Sequence, residues 1–493
     1  MERTTSRTGP ASSGAPATAG VARYLARARA AFGRTEILLV LGGLVVRGVY
    51  LDLTPLWSDE AFTGVLMRRS IGAMIDVVHN DNHPPLQYLL VRLAAIFGNT
   101  PVNLRLPSVV AGAAAVPLAI AIGRRLGGRR VALTSGGVVA LMPLLVLWSR
   151  DARMYALGTT MVLAMSLALW RATDEPSIGR VGIYGLTVLV GLYTNYLVAL
   201  AVPAQLLAAL LVLRPGRQVI LRLAAAAGAA GVALVPWLVY AAPQFRHAGQ
   251  PYWVQPISVG GTSAQLQYLA SHPGPTTLGA VAIALAVPLV AALTVAAYRS
   301  CGELERRGTL YVLACGGFSL LFLVIVSLKR PLLDERFINV YLIQLLPVAG
   351  LALAAPGRRW LVGGAMIVLL ALTVVEVSAL PTPHVPEVTA YLDSHVDASR
   401  DTVALVGAHQ YFPVLYYAHE PTRQVVRVVD IDVHWYDGLA GFRRGDLVPA
   451  VPRVAGATYV VVSPDQGDPP LPDGLHLARR ACSPGVCLET WTH

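Results

Sequence analysis

Two adjacent acidic residues, Asp59 and Glu60, follow the first long apolar segment of this chain. A carboxylate placed in hydrocarbon costs about 3 kcal/mol, so an acidic pair that borders an apolar segment indicates a functional site. We predict that Asp59 accepts a proton from a hydroxyl group as a general base, and that Glu60 is a second catalytic acid that orients the acceptor or holds a cation. The alternative is a solvated cap at the start of an interfacial helix.

Polar residues at the ends of later apolar segments complete the candidate site. Arginine can grip phosphate oxygens through two hydrogen bonds, and basic residues on the outer side of a membrane need a local reason. The alternatives are binding of anionic headgroups, snorkelling, a surface histidine and ordinary interfacial tyrosines. We predict that ten residues bind a substrate, either through the phosphate of the molecule that donates a transferred group or through its other parts. They are His83, Arg150, Asp151, Arg153, Tyr155, Tyr193, Asn195, Lys329, Arg330 and Arg336.

The spacing of the potential metal ligands matches no recognised metal site. Asp59, Glu60, His79, Asp81 and His83 are close in sequence but lack such a signature. We therefore predict no metal site, while a divalent cation as cofactor stays open.

The composition is typical of a membrane protein. The 493 residues have a mean hydropathy of +0.57, with 55% hydrophobic and 14% charged residues, whereas about a quarter of the residues in soluble domains are charged. The net charge of +11 could indicate a nucleic-acid partner. However, the arginines cluster between apolar runs, so membrane topology explains them better and we predict no nucleic acid.

Charge and length together predict an all-α polytopic membrane protein with eleven transmembrane helices and additional interfacial helices. Five arginine-bearing segments between the spans are expected to be cytoplasmic, at 124–130, 171–180, 214–217, 299–307 and 358–359, whereas those at 149–155 and 329–337 are expected on the outer side. This placement requires that residues 86–98 do not cross the membrane. Their length agrees, because a helix of this segment would rise only about 20 Å, whereas the hydrocarbon core is about 30 Å thick. Arg47, inside the first span, is expected to snorkel to the membrane surface. The predicted spans are 36–53, 105–122, 131–148, 154–170, 181–195, 197–213, 219–240, 277–298, 309–328, 338–355 and 360–379.

Three parts are expected along the chain. Residues 1–34 form a cytoplasmic, partly disordered tail that leads into a retained signal anchor. Residues 35–380 form the transmembrane domain, whose outer-face loop 54–104 carries the acid pair and lies in the interface as amphipathic helices. Residues 381–493 form a small extracytoplasmic α/β domain.

The pattern of the last part is that of strands and helices outside a membrane. Residues 402–406 and 458–462 have the composition of buried strands. Cys482 and Cys487 could close a disulfide if this part faces an oxidising compartment, or stay as two free thiols.

Four motifs occur in a fixed order along the first part of the chain. They are Trp57-Ser58-Asp59-Glu60-Ala61, His83-Pro84-Pro85-Leu86-Gln87-Tyr88, Leu104-Arg105-Leu106-Pro107-Ser108 and Ser149-Arg150-Asp151-Ala152-Arg153-Met154-Tyr155-Ala156-Leu157. In these motifs the chain resembles the GT-C integral membrane glycosyltransferases, in the branch that includes protein O-mannosyltransferases and the lipid A aminoarabinose transferase. A later segment, Asp334-Glu335-Arg336-Phe337 with Pro347, resembles a further motif of that family, with Phe337 where tyrosine is usual.

This resemblance implies the GT-C fold and an inverting transferase that uses a polyprenyl-monophosphate sugar. Asp59 would then be the general base, and Arg336 would contact the donor phosphate. Family members often have glutamate where this chain has Asp151 and glutamine where it has Arg150. The second difference adds a cation and alters the expected donor contacts.

We therefore predict an inverting glycosyltransferase in a bacterial cytoplasmic membrane, with its active site facing outside. It would move a sugar, with mannose as the best guess, from a polyprenyl-monophosphate donor to a glycan, lipid or protein acceptor, and the loop 241–276 and the tail domain would select that acceptor. An oligosaccharide ligase with a polyprenyl-diphosphate donor would need no acidic base so close to the first span. A lipid-linked sugar transporter or flippase would show internal repeats and helices broken at mid-membrane.

Overall fold

The apolar runs of the sequence fold into long helices that pack side by side, and a smaller sheet domain follows them. In the computed structural model the N-terminal tail and most of the predicted loop 241–276 lie outside the described residues. The structure describes residues 33–247, 254, 256–258, 277–354, 359–378, 384–397, 399–419, 426–429, 438–442, 445–463, 471–483 and 486–493.

Seventeen α-helices are defined in these residues. A π-helical turn, Ala209–Leu213, extends the ninth, and a 3-10 turn, Ala95–Phe97, extends the fourth. In chain order the helices are α1 (Arg34–Gly48), α2 (Ser58–Leu66), α3 (Ile71–Val78), α4 (Leu86–Ala94), α5 (Pro101–Leu141), α6 (Pro143–Ser149), α7 (Tyr155–Asp174), α8 (Ile178–Thr194), α9 (Val198–Ala208), α10 (Arg217–Tyr240), α11 (Thr277–Ser300), α12 (Glu303–Ser327), α13 (Glu335–Leu342), α14 (Leu346–Leu353), α15 (Arg359–Ser378), α16 (Val385–His395) and α17 (Tyr411–Tyr417).

Helix α5 is a helical hairpin that contains two of the predicted spans. Its backbone leaves the helical conformation at Gly127 and Gly128, and the φ of 74° at Gly128 is one that glycine adopts without strain. Beyond the break the chain returns, because a Cβ added to Gly136 would meet Ile120. The arginines that flank the break were the signal that separated the two spans in the sequence.

The predicted polytopic, mostly helical fold is confirmed, and each of the eleven predicted spans overlaps at least one helix. Among the described residues, five helices are long and apolar enough to cross a membrane by length and composition, namely α5, α7, α10, α12 and α15. Helices α13 and α14, bent by 60° against each other, would make a sixth if counted as one span. Residues 86–97 form a short apolar helix that lies outside this set.

Arg47 does not snorkel, which corrects the expectation from the sequence. Its guanidinium is fully buried and donates hydrogen bonds to the carbonyl oxygens of Gly43, Val139 and Ala140 and to Oγ of Ser149. Because Gly43 lies on α1 and the other acceptors on α5 and α6, this side chain joins three helices. A buried cation is tolerated in a bundle when its donors are satisfied in this way.

The last part of the chain folds around a six-stranded sheet, which confirms the predicted α/β domain. Its order is β3-β2-β1-β4-β6-β5, with β1 to β4 paired in parallel and the β4–β6 and β5–β6 pairs antiparallel. Cys482 and Cys487 form a disulfide between β5 and β6. The strands are β1 (Thr402–Val406), β2 (Val426–Val429), β3 (Leu447–Val448), β4 (Thr458–Val462), β5 (His476–Ser483) and β6 (Val486–Thr492).

Candidate active site

The acid pair lies in the first turn of α2, which begins at Ser58. An acidic residue near a helix N-terminus interacts favourably with the partial positive charge of the unpaired N–H groups. The two carboxylates differ in environment, since Asp59 is half-buried and Glu60 is buried. Successive residues on a helix point in different directions, so adjacency in sequence does not give the two acids the same neighbours.

Glu60 is held by a bidentate ion pair with Arg105, in the first turns of α5. Arg105 donates from Nε to Oε1 at 2.7 Å and from Nη2 to Oε2 at 2.5 Å, and both side chains are buried. The backbone N–H of Ala152 also donates to Oε1 of Glu60, at 2.9 Å. These contacts fix the first turn of α2 to two other segments, so they favour a positioning role for Glu60 over the catalytic role predicted from the sequence.

Arg105 also fixes the loop that leads into α2. Its Nη1 donates to the carbonyl oxygens of Leu51 and Thr54, and its Nη2 donates to that of Pro55. One guanidinium therefore determines where the chain between α1 and α2 runs.

The carboxylate of Asp59 is differently placed. Within the described part of the chain it makes no hydrogen bond or ion pair, although its charge acts on Arg153 and Arg336 and on the acidic Asp81. Because no group in the described residues donates a hydrogen bond to this half-exposed carboxylate, it can accept a proton from a bound hydroxyl group. This is the property expected of a general base.

Arg153, Tyr88 and Asp81 form a buried chain beside Asp59. Nη1 of Arg153 donates to the hydroxyl of Tyr88 at 3.0 Å, and that hydroxyl donates to Oδ2 of Asp81 at 2.9 Å. Burial raises the pKa of Asp81, opposed by the charge of Arg153. Burial acts to lower the pKa of Arg153, but Tyr88 and Asp59 outweigh it and raise that pKa well above its usual value, so Arg153 stays charged.

Arg336, on α13, is a second cation near Asp59. Its guanidinium carbon lies 5.2 Å from the centre of the Trp57 ring and 5.5 Å from that of Trp148, so two aromatic faces hold the cation. Trp57 in turn donates from Nε1 to Oδ1 of Asp151 at 3.2 Å. Burial, and next the charge of Glu60, raise the pKa of Asp151 well above its usual value, which favours its neutral form.

His83 and Tyr155 border this cluster. Burial and then the charge of Arg153 hold the pKa of His83 well below its usual value, so a neutral imidazole faces the cation. The ring of Tyr155, the first residue of α7, packs edge-on against Trp148 with centroids 5.0 Å apart. The structure thus brings together the predicted residues Asp59, His83, Asp151, Arg153, Tyr155 and Arg336, which we call the acid–arginine cluster.

The guanidinium of Arg150, also predicted to bind substrate, is engaged by backbone carbonyl groups. It donates to the carbonyl oxygens of Arg47, Val49 and Tyr50, at 3.1, 2.6 and 2.9 Å. These are carbonyl groups at the end of α1, which lack partners within the helix. The contacts favour a capping role, which the neighbouring Arg153 does not share.

The other predicted residues, Tyr193, Asn195, Lys329 and Arg330, take part in none of the contacts given above. The hydroxyl of Tyr193 donates to the carbonyl of Ala233 on α10, and Oδ1 of Asn195 accepts from the backbone N–H of Leu197, while Nδ2 of Asn195 is buried without a partner in the described residues. Lys329 is exposed and Arg330 half-buried on the turn after α12.

Arg105, Tyr88, Trp57 and Asp81 were not assigned a role in catalysis or substrate binding from the sequence. Arg105 carried a usable signal, because a single arginine within the first turns of an apolar helix is out of place unless an acid pairs with it. The described residues contain no group of three or more His, Cys, Asp or Glu side chains placed to hold a metal ion.

The sheet domain contacts the acid-bearing loop directly. The ring of Phe412 on α17 packs edge-on against Phe62 on α2, with centroids 4.9 Å apart. Arg68 donates to the carbonyl oxygens of Leu415 and Tyr416, and the hydroxyl of Tyr417 accepts the backbone N–H of Leu56 at 2.8 Å. Helix α17 therefore packs against α2 and holds the loop that leads into it.

We expect Tyr417→Phe to loosen the loop before α2. Removing the hydroxyl leaves the N–H of Leu56 without its acceptor, which costs about 1 kcal/mol. Amide exchange of the loop 51–57, measured by mass spectrometry, should become about fivefold faster. Tyr50→Phe, on an exposed ring in the same loop, is the matched control. Equal exchange in the two variants would show that α17 does not support this loop.

Comparisons with known proteins find one family model and several solved structures that this chain is similar to. Residues 82–240, which include His83, Tyr88, Arg105, Asp151 and Arg153, match the family model described as dolichyl-phosphate-mannose-protein mannosyltransferase. No curated protein sequence matches the chain.

Solved structures resemble most of the chain in fold. ArnT from Cupriavidus metallidurans bound to undecaprenyl phosphate has a TM-score of 0.63 at 14% identity, over 92% of this chain and 97% of that one. The apo state of the same protein has a TM-score of 0.62 at 15% identity, with the same coverage. The apo oligosaccharyltransferase of Archaeoglobus fulgidus has a TM-score of 0.54 at 12% identity, over 78% of this chain and 63% of that one. At these identities the likeness is one of fold.

Proposed function

We propose that this chain, a membrane glycosyltransferase of the GT-C superfamily, moves a sugar from a polyprenyl-monophosphate donor to a hydroxyl-bearing acceptor. The observation that carries the proposal is the carboxylate of Asp59, which makes no hydrogen bond within the described residues and lies within electrostatic reach of Arg153 and Arg336. A base and two cations around one space are what this reaction needs.

Each proposed residue has a defined role in the step. The acceptor oxygen attacks the anomeric carbon and gives its proton to Asp59, while the bond from that carbon to the phosphate oxygen breaks with inversion. The bonding electrons leave with the phosphate, so a second negative charge develops on the polyprenyl phosphate. Arg336 and Arg153 stabilise that charge, and cations held partly or fully out of water do so more strongly than water would.

The proposed lipid carrier and the proposed sugar are each supported by a different comparison. The structure most similar in fold among those named above was solved with undecaprenyl phosphate, which favours a polyprenyl carrier. The matched family is described by its mannosyl donor, which favours mannose. We infer a glycan, lipid or protein acceptor, and the outer face of a bacterial cytoplasmic membrane as the place of reaction.

The test is consumption of a defined donor by the purified protein. With a synthetic polyprenyl-phosphate mannose and envelope extract as acceptor, we expect release of free polyprenyl phosphate, measured by mass spectrometry, and no release from polyprenyl-diphosphate oligosaccharide. Donors with other sugars run in parallel identify the sugar. Movement of intact donor across vesicles without its consumption would instead support a flippase, and consumption of the diphosphate donor alone would support a ligase.

A further inference from the structure

A groove of about 360 Å³ lies between α7 and α8, far from the acid–arginine cluster. Helix α7 begins at the cluster with Tyr155, and Arg171 in the groove lies sixteen residues further along the same helix. At 1.5 Å per residue this separation is about 24 Å, most of the thickness of a hydrocarbon core. The groove therefore opens near the opposite end of the bundle.

The lining of the groove is divided between apolar and basic side chains. Leu118, Ala164, Ala168 and Ile183 are among its apolar residues, and Arg171 and Arg180 are its charged ones. The two arginines lie on either side of the short connection between α7 and α8, so the basic part is at the end of the groove and the apolar part extends into the bundle. A volume of this size is within the range of ligand sites, about 300–1,000 Å³.

The two cations differ in their existing contacts. Arg180 forms an ion pair with Glu175, whose side chain is largely exposed, and donates to its carbonyl oxygen at 2.8 Å. Arg171 makes no hydrogen bond or ion pair within the described residues, and the charge of Arg180 acts on it. An anion bound between two like charges at the mouth of an apolar groove would offset the repulsion between them.

The apolar walls determine which kind of anion fits. Ile183, on the wall, and Leu186, on the same helix, are 56% and 59% exposed, as expected for a helix that faces lipid. A soluble anion would gain nothing from the apolar part, whereas a lipid fills it with hydrocarbon and presents its phosphate to the cations. We propose that this groove binds an anionic phosphoglycerolipid, with one acyl chain along α7 and α8 and its phosphate accepting hydrogen bonds from Arg171 and Arg180.

The proposal is independent of the transferase reaction, since the lipid would occupy the leaflet opposite the one that contains the acid–arginine cluster. The test is lipid binding to the purified, delipidated protein in detergent, followed by native mass spectrometry with phosphatidylglycerol, phosphatidylcholine and glycerol 3-phosphate as probes. We expect phosphatidylglycerol to bind at least tenfold more tightly than phosphatidylcholine, because each arginine near an anionic headgroup contributes about a factor of five.

Two variants separate the basic and the apolar parts. Arg171→Gln with Arg180→Gln should weaken phosphatidylglycerol at least tenfold, and Ala164→Phe, which fills the apolar part, should weaken it while both arginines remain. The matched control is Arg217→Gln with Arg222→Gln, two exposed arginines at the beginning of α10.

Four results would overturn the proposal. They are unchanged binding in the Arg171/Arg180 variant, unchanged binding in Ala164→Phe, equal loss in the Arg217/Arg222 control, and competition by glycerol 3-phosphate at the affinity of the lipid. The last result would identify an anion site that does not use an acyl chain.

Discussion

Replacing Asp59 by asparagine should reduce sugar transfer by about a thousandfold and leave the fold intact. General bases contribute about 10²–10⁴ to a rate, and asparagine cannot take the proton of an acceptor hydroxyl. Stability should hardly change, because within the described residues the Asp59 carboxylate makes no hydrogen bond or ion pair that the substitution would break. The measurement is single-turnover release of polyprenyl phosphate at saturating donor, beside the thermal unfolding midpoint.

The control for this prediction is Asp52→Asn. Asp52 is an exposed acid in the loop before α2, so its substitution changes the net charge by the same amount without touching the acid–arginine cluster. We expect it to retain full activity. If Asp59→Asn kept its activity, or if both variants lost it equally, the base would have to be another group.

The helices could be predicted because their cause is local. A membrane span needs only a run of apolar residues of sufficient length, and arginines mark its ends. Even the hairpin in α5 was visible, since Arg124 and Arg129 on either side of Gly127 and Gly128 cannot lie inside hydrocarbon. The strands at 402–406 and 458–462 were equally visible, but their place at neighbouring positions of one parallel sheet depends on tertiary contacts.

That the site residues lie close together could be predicted from the alternation of the spans more than from the residue types. Once the spans alternate, the ends of α1, α6 and α12 fall at the same end of the bundle, and so do Asp59, Arg153 and Arg336. The sequence could not reveal which of these side chains is committed elsewhere. Arg150 and Arg153 are three positions apart and equally buried, yet one caps carbonyl groups of α1 and the other faces Tyr88 and Asp59.

The acid pair shows the same limit. Asp59 and Glu60 both carry a carboxylate and are adjacent in sequence, and one position on a helix is a rotation of about 100°. That rotation directs Glu60 towards Arg105 and the N–H of Ala152. Partners supplied by segments 45 and 92 residues away in sequence are beyond any local pattern.

The second large effect expected is on folding, from Glu60→Gln. Removing this charge leaves Arg105 buried without its counterion, and breaking a buried pair in this way costs about 3–5 kcal/mol. The thermal unfolding midpoint should fall by several degrees. Glu175→Gln, which breaks the exposed pair with Arg180, should cost at most about 1 kcal/mol and is the matched control.

A double variant, Glu60→Gln with Arg105→Gln, distinguishes a positioning role from a catalytic one. With both charges removed no buried ion is left unpaired, so much of the lost stability should return. If Glu60 only positions α2, sugar transfer should recover in part along with stability, because an amide side chain at position 60 can still accept the N–H of Ala152 and hold the first turn of α2. If Glu60 touches the reacting atoms, the double variant should fold and remain inactive, and the positioning role inferred from its three hydrogen bonds would be wrong.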